Sequence, residues 1–446
     1  MLSRRVLPLF LLAVACASAI EDSNAPSQYR VAFVPNGACV SWYTPSQPSS
    51  TPTVRYGYSA NNLSMTATGD YHTYGTGYFS DVVLPSLDSY TTYYYQIGGG
   101  PRIVAFLTSR ASGDTSGFKF LMVGDMGLDH SADTMQCMQQ ALPHVDFIHH
   151  VGDLSYADDW YLRLDTYEGS WNKWQTLMDP ITSVRGYMVM PGNHEATCTE
   201  ATPSVCEAST RNFTAYRNRF RMPWMETGGV DNMWYSYEYG SMHFTNIDTE
   251  TDFPNSPEGP GTRINAGPFG DQLAWLEQAP NANRDKVPWL VSTLVMFAVR
   301  LIVSGHRPLY SSASSECPAC RDAFETLFNK YNVDIYFSGH VHWYGNVFDV
   351  FVSRLVNTGA VTQHNYDNPS APIYLVNGAA GNVEGHASGD QKVDTSISAF
   401  IDKKNYGYGY VTVYNSTTLL WEFYDAKKNK LVDQVTITKD HPSSTL

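Results

Sequence analysis

The sequence predicts an α/β (α+β) sandwich of mixed sheets flanked by helices, preceded by an all-β domain. Three observations carry that expectation. Residues 25–111 hold short aromatic or β-branched runs separated by Pro, Gly, Ser and Asn. Beyond residue 117 the apolar runs end instead in Gly-Asp, Gly-Asn or Gly-His, with helix-like segments between some of them. From residue 371 to 436 the chain returns to β-rich text with hairpin turns.

The chain has 446 residues and a formal charge of −14, from 29 Lys and Arg against 43 Asp and Glu. That length suffices for two or three domains. An acidic chain without a basic block is a poor holder of nucleic acid through its phosphates. At the start, Arg4 and Arg5 precede the apolar run Val6–Ala15, and Ala17-Ser18-Ala19 matches a small-residue cleavage pattern. This predicts a removable secretory leader over 1–19, too short to span a bilayer. The apolar run 287–299 also falls short of a spanning helix. The chain is therefore expected to be exported and not membrane-bound, in the medium, cell wall or vacuole. Sequons at Asn62, Asn212 and Asn415 agree with export and glycosylation.

Cys16 leaves with the leader, so six cysteines remain. Cys198 and Cys206 flank a short polar loop and form the best pairing. Cys317 and Cys320 stand in "CPAC", a spacing also used for redox or zinc chemistry. With no second CxxC or neighbouring His, a local disulfide is the expectation. Cys39 and Cys137 are left as buried free thiols.

In the first β region the runs "RVAFVPNGACVSWYT", "TPTVRYGY", "FSDVVLPSL", "TTYYYQIG" and "RIVAFLTS" suggest a small sandwich. Ser112–Gly117 reads as a linker. Next, "FKFLMVGDMG" leads to "SADTMQCMQQAL", a helix with Ser131 as its expected cap. Then come "VDFIHHVGDLSY", "GYMVMPGNHE", "SMHFTNIDTE", "LIVSGHRPLY" and "VDIYFSGHVH". The strand exits carry Asp125, Asp153 with Tyr156, Asn193 with His194, His306, and His340 with His342. Carboxyl ends of strands in an open α/β sheet share one crevice. The converging Asp, Tyr, Asn and His donors suit two metal ions. A single Gly-Asp is usually only a turn; the ordered set is what carries the signal. His149 and His150 are adjacent in a strand and face opposite ways, so at most one points toward the site; both read as packing or supporting residues.

The order GDxG, GDxxY, GNHE, a Gly-His exit and GHxH resembles the purple acid phosphatases, within the calcineurin-like metallophosphoesterases. Tyr156 in GDxxY narrows the resemblance to the purple branch. The similarity spans nearly the whole chain after the leader. It implies a fibronectin type III-like domain over 25–111, a metallophosphoesterase domain over 117–345 and a carboxy-terminal domain over 371–436. It further implies that Asp125, Asp153, Tyr156 and His342 hold iron(III), and that phenolate-to-iron charge transfer gives colour. Asp153 would bridge to a divalent zinc, manganese or iron(II) held with Asn193, His306 and His340. His194 would hydrogen-bond the phosphate or leaving group.

Two cations about 3.5–4 Å apart clamp the attacking and leaving oxygens of an in-line displacement. Zinc lowers the pKa of bound water to about 7, and a trivalent ion should lower it further. The expectation is thus an acid phosphatase acting on small phosphate monoesters through a metal-held hydroxide, with an acidic optimum. A diesterase or pyrophosphatase of the same fold is the enzymatic alternative; a non-catalytic secreted binding protein is the other. Plant members carry further histidines shortly after the His306 position, one of them a leaving-group acid. Here "RPLYSSASSECPAC" has none, which leaves the general acid unassigned. Segments 291–301 and 345–356 interrupt text that is continuous in the relatives, and one or both are read as translated introns; if genuine, they would displace the strand supplying His306 and weaken the divalent site.

Overall fold

The computed structural model describes residues 24–75, 77–98, 100–282, 300–312, 316–347, 349–351, 361–363, 366–369, 371–386 and 398–439. The leader and residues 291–299, 348 and 352–356 of the two interrupting segments lie outside them.

The amino-terminal strands are β1 (Ser27–Val34), β2 (Gly37–Thr44), β3 (Thr53–Gly57), β4 (Met65–Thr68), β5 (Asp70–Tyr74), β6 (Gly77–Pro85), β7 (Thr92–Ile97) and β8 (Ile103–Leu107). Then follow β9 (Phe118–Val123), β10 (Phe147–His150), β11 (Gly186–Val189), β12 (Tyr235–Tyr239), β13 (Met242–Asn246), β14 (Arg300–Ser304) and β15 (Ile335–Ser338). The remainder are β16 (Tyr344–Val347), β17 (Asp349–Phe351), β18 (Val361–Gln363), β19 (Ile373–Asn377), β20 (Ser398–Asp402), β21 (Gly407–Val413), β22 (Thr418–Asp425) and β23 (Lys430–Thr438). Helices α1 (Ala132–Ala141), α2 (Tyr167–Thr182), α3 (Thr214–Arg219), α4 (Gln272–Ala282) and α5 (Pro318–Lys330) lie between them.

Two large sheets face each other. One has ten strands in the order β23-β22-β21-β9-β10-β11-β1-β2-β6-β5; the other has seven, β12-β13-β14-β15-β19-β16-β20. Strands β9, β10 and β11 are mutually parallel, as are β13, β14, β15 and β19. Buried on both faces, these strands read as continuous apolar runs. Aromatic rings fill the gap between sheets: Phe120 lies 5.6 Å from Phe244 and 6.4 Å from Phe337, both edge-on. Helices α4 and α5 cover the outer face of the seven-stranded sheet, where Leu276, Phe324 and Phe328 pack near Val303, Tyr336 and Tyr374.

The amino-terminal region is all-β, as the sequence predicts. A four-stranded sheet, β4-β3-β7-β8, packs on β1, β2 and β6 through residues such as Val40, Trp42, Tyr95 and Phe106. Its other half is not a separate sheet. Strand β1 pairs in parallel with β11, Val31 opposite Gly186, so the sandwich prolongs the ten-stranded sheet. Gly186 is required there, because a Cβ would penetrate the Phe33 ring. Residues 371–436 are divided: β19 and β20 join one sheet, β21–β23 the other.

Ser131 stands at the start of α1, but its hydroxyl does not cap the helix. It donates to Gly127 O at 2.7 Å, tying α1 to the turn after β9. Arg300 and Leu301, the end of one interrupting segment, begin β14 in regular register with β13. Gly345–Val347 of the other pair with β19 and β20. Strand β14 is therefore in place, and the displacement feared for His306 is absent.

Candidate metal centre

Every strand exit named from the sequence opens into one crevice between the two sheets. Asp125 follows β9, Asp153 and Tyr156 follow β10, and Asn193 and His194 follow β11; His306 follows β14, and His340 and His342 follow β15. Asp125, Asp153, Tyr156 and His340 all have positive φ, between 51° and 67°. Side chains other than glycine rarely adopt this conformation, and each instance costs about 1–3 kcal/mol. The backbone is bent so that these side chains turn inward immediately after the strand. Gly192 and Gly339 lie so close to the Asp153 and Asp125 carboxylates that a Cβ at either would collide with them.

Ligand-competent atoms of Asp153, His306 and His340 lie within 4.8 Å of one another, and so do those of Asp125, Asp153 and His342. Asp153 belongs to both groups. Its Oδ2 is 3.0 Å from His306 Nε2 and 3.3 Å from Tyr156 Oη, while its Oδ1 accepts from His194 N at 3.0 Å. Tyr156 Oη also lies 2.8 Å from His342 Nε2 and 3.2 Å from Asp125 Oδ1. Asn193 directs Oδ1 to within 3.1 Å of His306 Nε2, its amide nitrogen being held by Glu200 at 2.8 Å.

The imidazoles are oriented from behind. His306 Nδ1 donates to Val151 O at 2.9 Å, and His342 Nδ1 to Gly385 O at 3.1 Å. Both Nε2 atoms then face the crevice, the tautomer a metal ligand needs. The last residue of GNHE works in the same way. Glu195 accepts from Asp153 N, Leu154 N and Gly192 N, each at 2.9 Å, and ties the β10 exit to the β11 exit.

The donor set fits a pair of cations on chemical grounds. In the tautomer just described, the His306 Nε2 lone pair meets two oxygens, Asp153 Oδ2 and Asn193 Oδ1. Only a proton or a metal ion can sit among them. Burial opposes charge on Asp153, yet His306 and His194 hold its carboxyl well below the usual carboxylate range. Burial lowers the pKa of His306 too, but Asp153 outweighs it and the value rises to about 10. Burial, with Asp125 and Asp153 alongside, pushes the Tyr156 phenol well above its ordinary value. A phenolate there requires a cation beside it.

Three contributing residues were not legible as such in the sequence. Asp158 holds His194 Nδ1 at 2.9 Å, while the imidazole lies over the Tyr156 ring at 4.1 Å and aims Nε2 at the crevice. Glu384, in the loop after β19, places Oε2 3.8 Å from His194 Nε2 and 3.7 Å from His342 Nε2. Its carboxyl is half-exposed and stands at the mouth. Arg307 donates to His340 Nε2 at 3.0 Å and is neutralised by Glu250 at 2.7 Å and Glu258 at 3.0 Å. One signal was available for Glu384: "IYLVNGAAGNVEG" is a further apolar run ending in Asn-Gly.

Both expected disulfides form, Cys198–Cys206 and Cys317–Cys320, and Cys39 and Cys137 are buried free thiols. Asn62 and Asn415 are exposed, whereas Asn212 is half-buried and accepts from Gly267 N at 2.6 Å. Among the described residues no helix is long and apolar enough to cross a membrane.

Comparison with known proteins agrees with this arrangement along the whole chain. Family models match for the purple acid phosphatase N-terminal domain over residues 26–112, the calcineurin-like phosphoesterase over 118–344 and the iron/zinc purple acid phosphatase-like protein C over 371–434. An acid phosphatase of Aspergillus ficuum is 32% identical over 555 aligned residues, covering 96% of this chain and 88% of that one. Acid phosphatase A of Cryphonectria parasitica is 32% identical over 505, covering 97% and 96%. The solved structure of a purple acid phosphatase from yellow lupin (Lupinus luteus) seeds shares the fold, with a TM-score of 0.73 at 23% identity over 94% of this chain and 75% of that one. The chain belongs to the purple acid phosphatase family of calcineurin-like phosphoesterases.

Proposed function

We propose that this phosphatase is exported and hydrolyses phosphate monoesters at a binuclear centre. Asp125, Asp153, Tyr156 and His342 would hold iron(III); Asp153, Asn193, His306 and His340 would hold zinc, manganese or iron(II). The observation that carries this reading is the position of Asp153, fully buried and shared by two ligand-competent groups. When bound, such a pair of cations supplies Lewis-acid charge to the phosphoryl oxygens and lowers the pKa of water.

The chain's own groups orient and protonate. Asp158 fixes His194 Nδ1, so Nε2 is the atom offered to a phosphoryl oxygen or leaving group. Burial disfavours the imidazolium, but Asp158 and Asp153 raise His194 well above its ordinary value. Glu384, close to Nε2 of both His194 and His342, faces incoming substrate from the mouth. Asp125 Oδ2 is occupied by the His340 N–H at 2.8 Å, which locks the β9 exit to the β15 exit. Export is supported by the leader-like start, by two disulfides among the described residues and by exposed sequons at Asn62 and Asn415.

Metal analysis with a visible spectrum, and hydrolysis of an aryl phosphate across pH, test the proposal on purified protein. The expected result is two metal equivalents, a coloured protein and an acidic optimum. A colourless, metal-free and inactive product would overturn it.

A further inference from the structure

Beneath the centre lies a buried polar bridge that the chemistry above does not use. His149, on β10 four residues before Asp153, is fully buried. Its Nε2 lies 2.8 Å from Ser304 Oγ on β14, and its Nδ1 lies 3.0 Å from Tyr237 Oη on β12. Strand β10 belongs to the ten-stranded sheet and β12 and β14 to the seven-stranded one, so both bonds cross the sandwich. The adjacent His150 faces the opposite way and bonds Tyr187 of β11 within its own sheet.

The surroundings of His149 are otherwise apolar, with Phe244 and Phe337 ring centroids at 5.5 and 6.4 Å. Burial pushes its pKa down to about 3, so the ring is neutral, with one donor and one acceptor nitrogen. Two hydroxyls, each able to donate or accept, match it. Apolar side chains of similar shape at all three positions would fill the place without the cost of burying polar groups. What the polar bridge adds is direction: hydrogen bonds hold one relative position of two surfaces that packed rings alone would let slide.

That position matters at the crevice above. Ser304 is two residues before His306, and both ligand-competent groups draw on the two sheets together. We propose that His149 is a positioning residue: its bridge to Ser304 and Tyr237 fixes the His306 exit against the Asp153 exit and thereby sets retention of the divalent cation. The inference rests on the binuclear reading.

The test is chelator competition on full-length protein reloaded with zinc(II), compared across variants. His149→Leu should weaken one zinc equivalent by about 10- to 100-fold, the range for loss of a supporting partner, and leave the other unchanged. Ser304→Ala should reproduce that loss, and the double variant should lose no more. His149→Gln, whose amide reaches Ser304, should recover retention better than His149→Asn, whose shorter amide reaches only Tyr237. If His149→Leu fails to fold, Ser304→Ala and Tyr237→Phe, each lacking one oxygen, carry the test. Unchanged zinc retention in these variants would overturn the proposal, as would equal weakening of both equivalents. Wild-type protein binding fewer than two equivalents would instead overturn the binuclear reading.

Discussion

Strands β9, β10 and β11 of the ten-stranded sheet release Asp125, Asp153, Tyr156 and Asn193 into the crevice, whereas β14 and β15 of the seven-stranded sheet release His306, His340 and His342. Of the expected metal ligands, one wall supplies the oxygen donors and the other the imidazoles. Each of the two groups that share Asp153 mixes the two kinds, so both depend on the two sheets together. The walls also balance charge differently. The first carries its carboxylates directly on strand exits. The second brings in a cation, Arg307, and neutralises it with Glu250 and Glu258 from the loop after β13. The difference teaches that the site is a property of how the sheets pack.

The strongest way to break the comparison is at the residue both groups share. Asp153→Asn should remove both cations, the colour and activity by on the order of 10³-fold or more; full activity in that variant would refute the bridging role. Next come substitutions on one wall at a time. His306→Gln should weaken one equivalent beyond the about 100-fold that loss of a supporting partner costs, while the visible band persists. Tyr156→Phe should do the converse, abolishing the band while the second equivalent stays; the absorption spectrum and metal content read both. If either change emptied the whole centre, the division between walls would be wrong.

A smaller effect is expected at the oxygen-donor wall's acid–base pair. His194→Gln should lower kcat by about 10²-fold, and Asp158→Asn should lower it less. The double variant should match His194→Gln, since Asp158 acts through the ring it holds. Additive losses in steady-state assays would separate the two residues. The smallest effect concerns the imidazole wall's counterions. Burial and Glu250, opposed by Arg307, push the Glu258 carboxyl up from 4.5 to about 7. The folded state then binds the extra proton between those values, so this group's contribution to stability falls as pH rises from 4.5 toward about 7. Melting temperatures across that window should decline less steeply in Glu258→Gln than in wild type; identical slopes would remove Glu258 as the source.

Much of the site was legible because Gly-Asp, Gly-Asn and Gly-His leave their strands at once, so the donor and the turn that aims it are sequence neighbours. Asp125, Asp153, Tyr156, Asn193, His306, His340 and His342 could all be named that way. Asp158 was less visible, for its meaning depends on His194, 36 residues away. Glu384 and Arg307 acquire roles only through contacts with His194, His342 and His340. Strands β4 and β5, in "MTATGDYHTY", were missed because they are short and, of their residues, only Tyr74 is buried. The pairing of β1 with β11 was equally hidden, since hydrogen bonds between two backbones leave no side-chain signature.

By itself the sequence determined which side chains stand at strand ends, and hence the chemical inventory of oxygens and imidazoles. It also determined the layered α/β class, through buried runs punctuated by glycine. The tertiary structure alone decided that two sheets close over a common crevice, that Asp153 serves both groups, and that His149 spans the gap beneath them. The reason is physical: strand and turn preferences act over a few residues, whereas coordination needs atoms within a few ångströms that the chain separates by scores of positions.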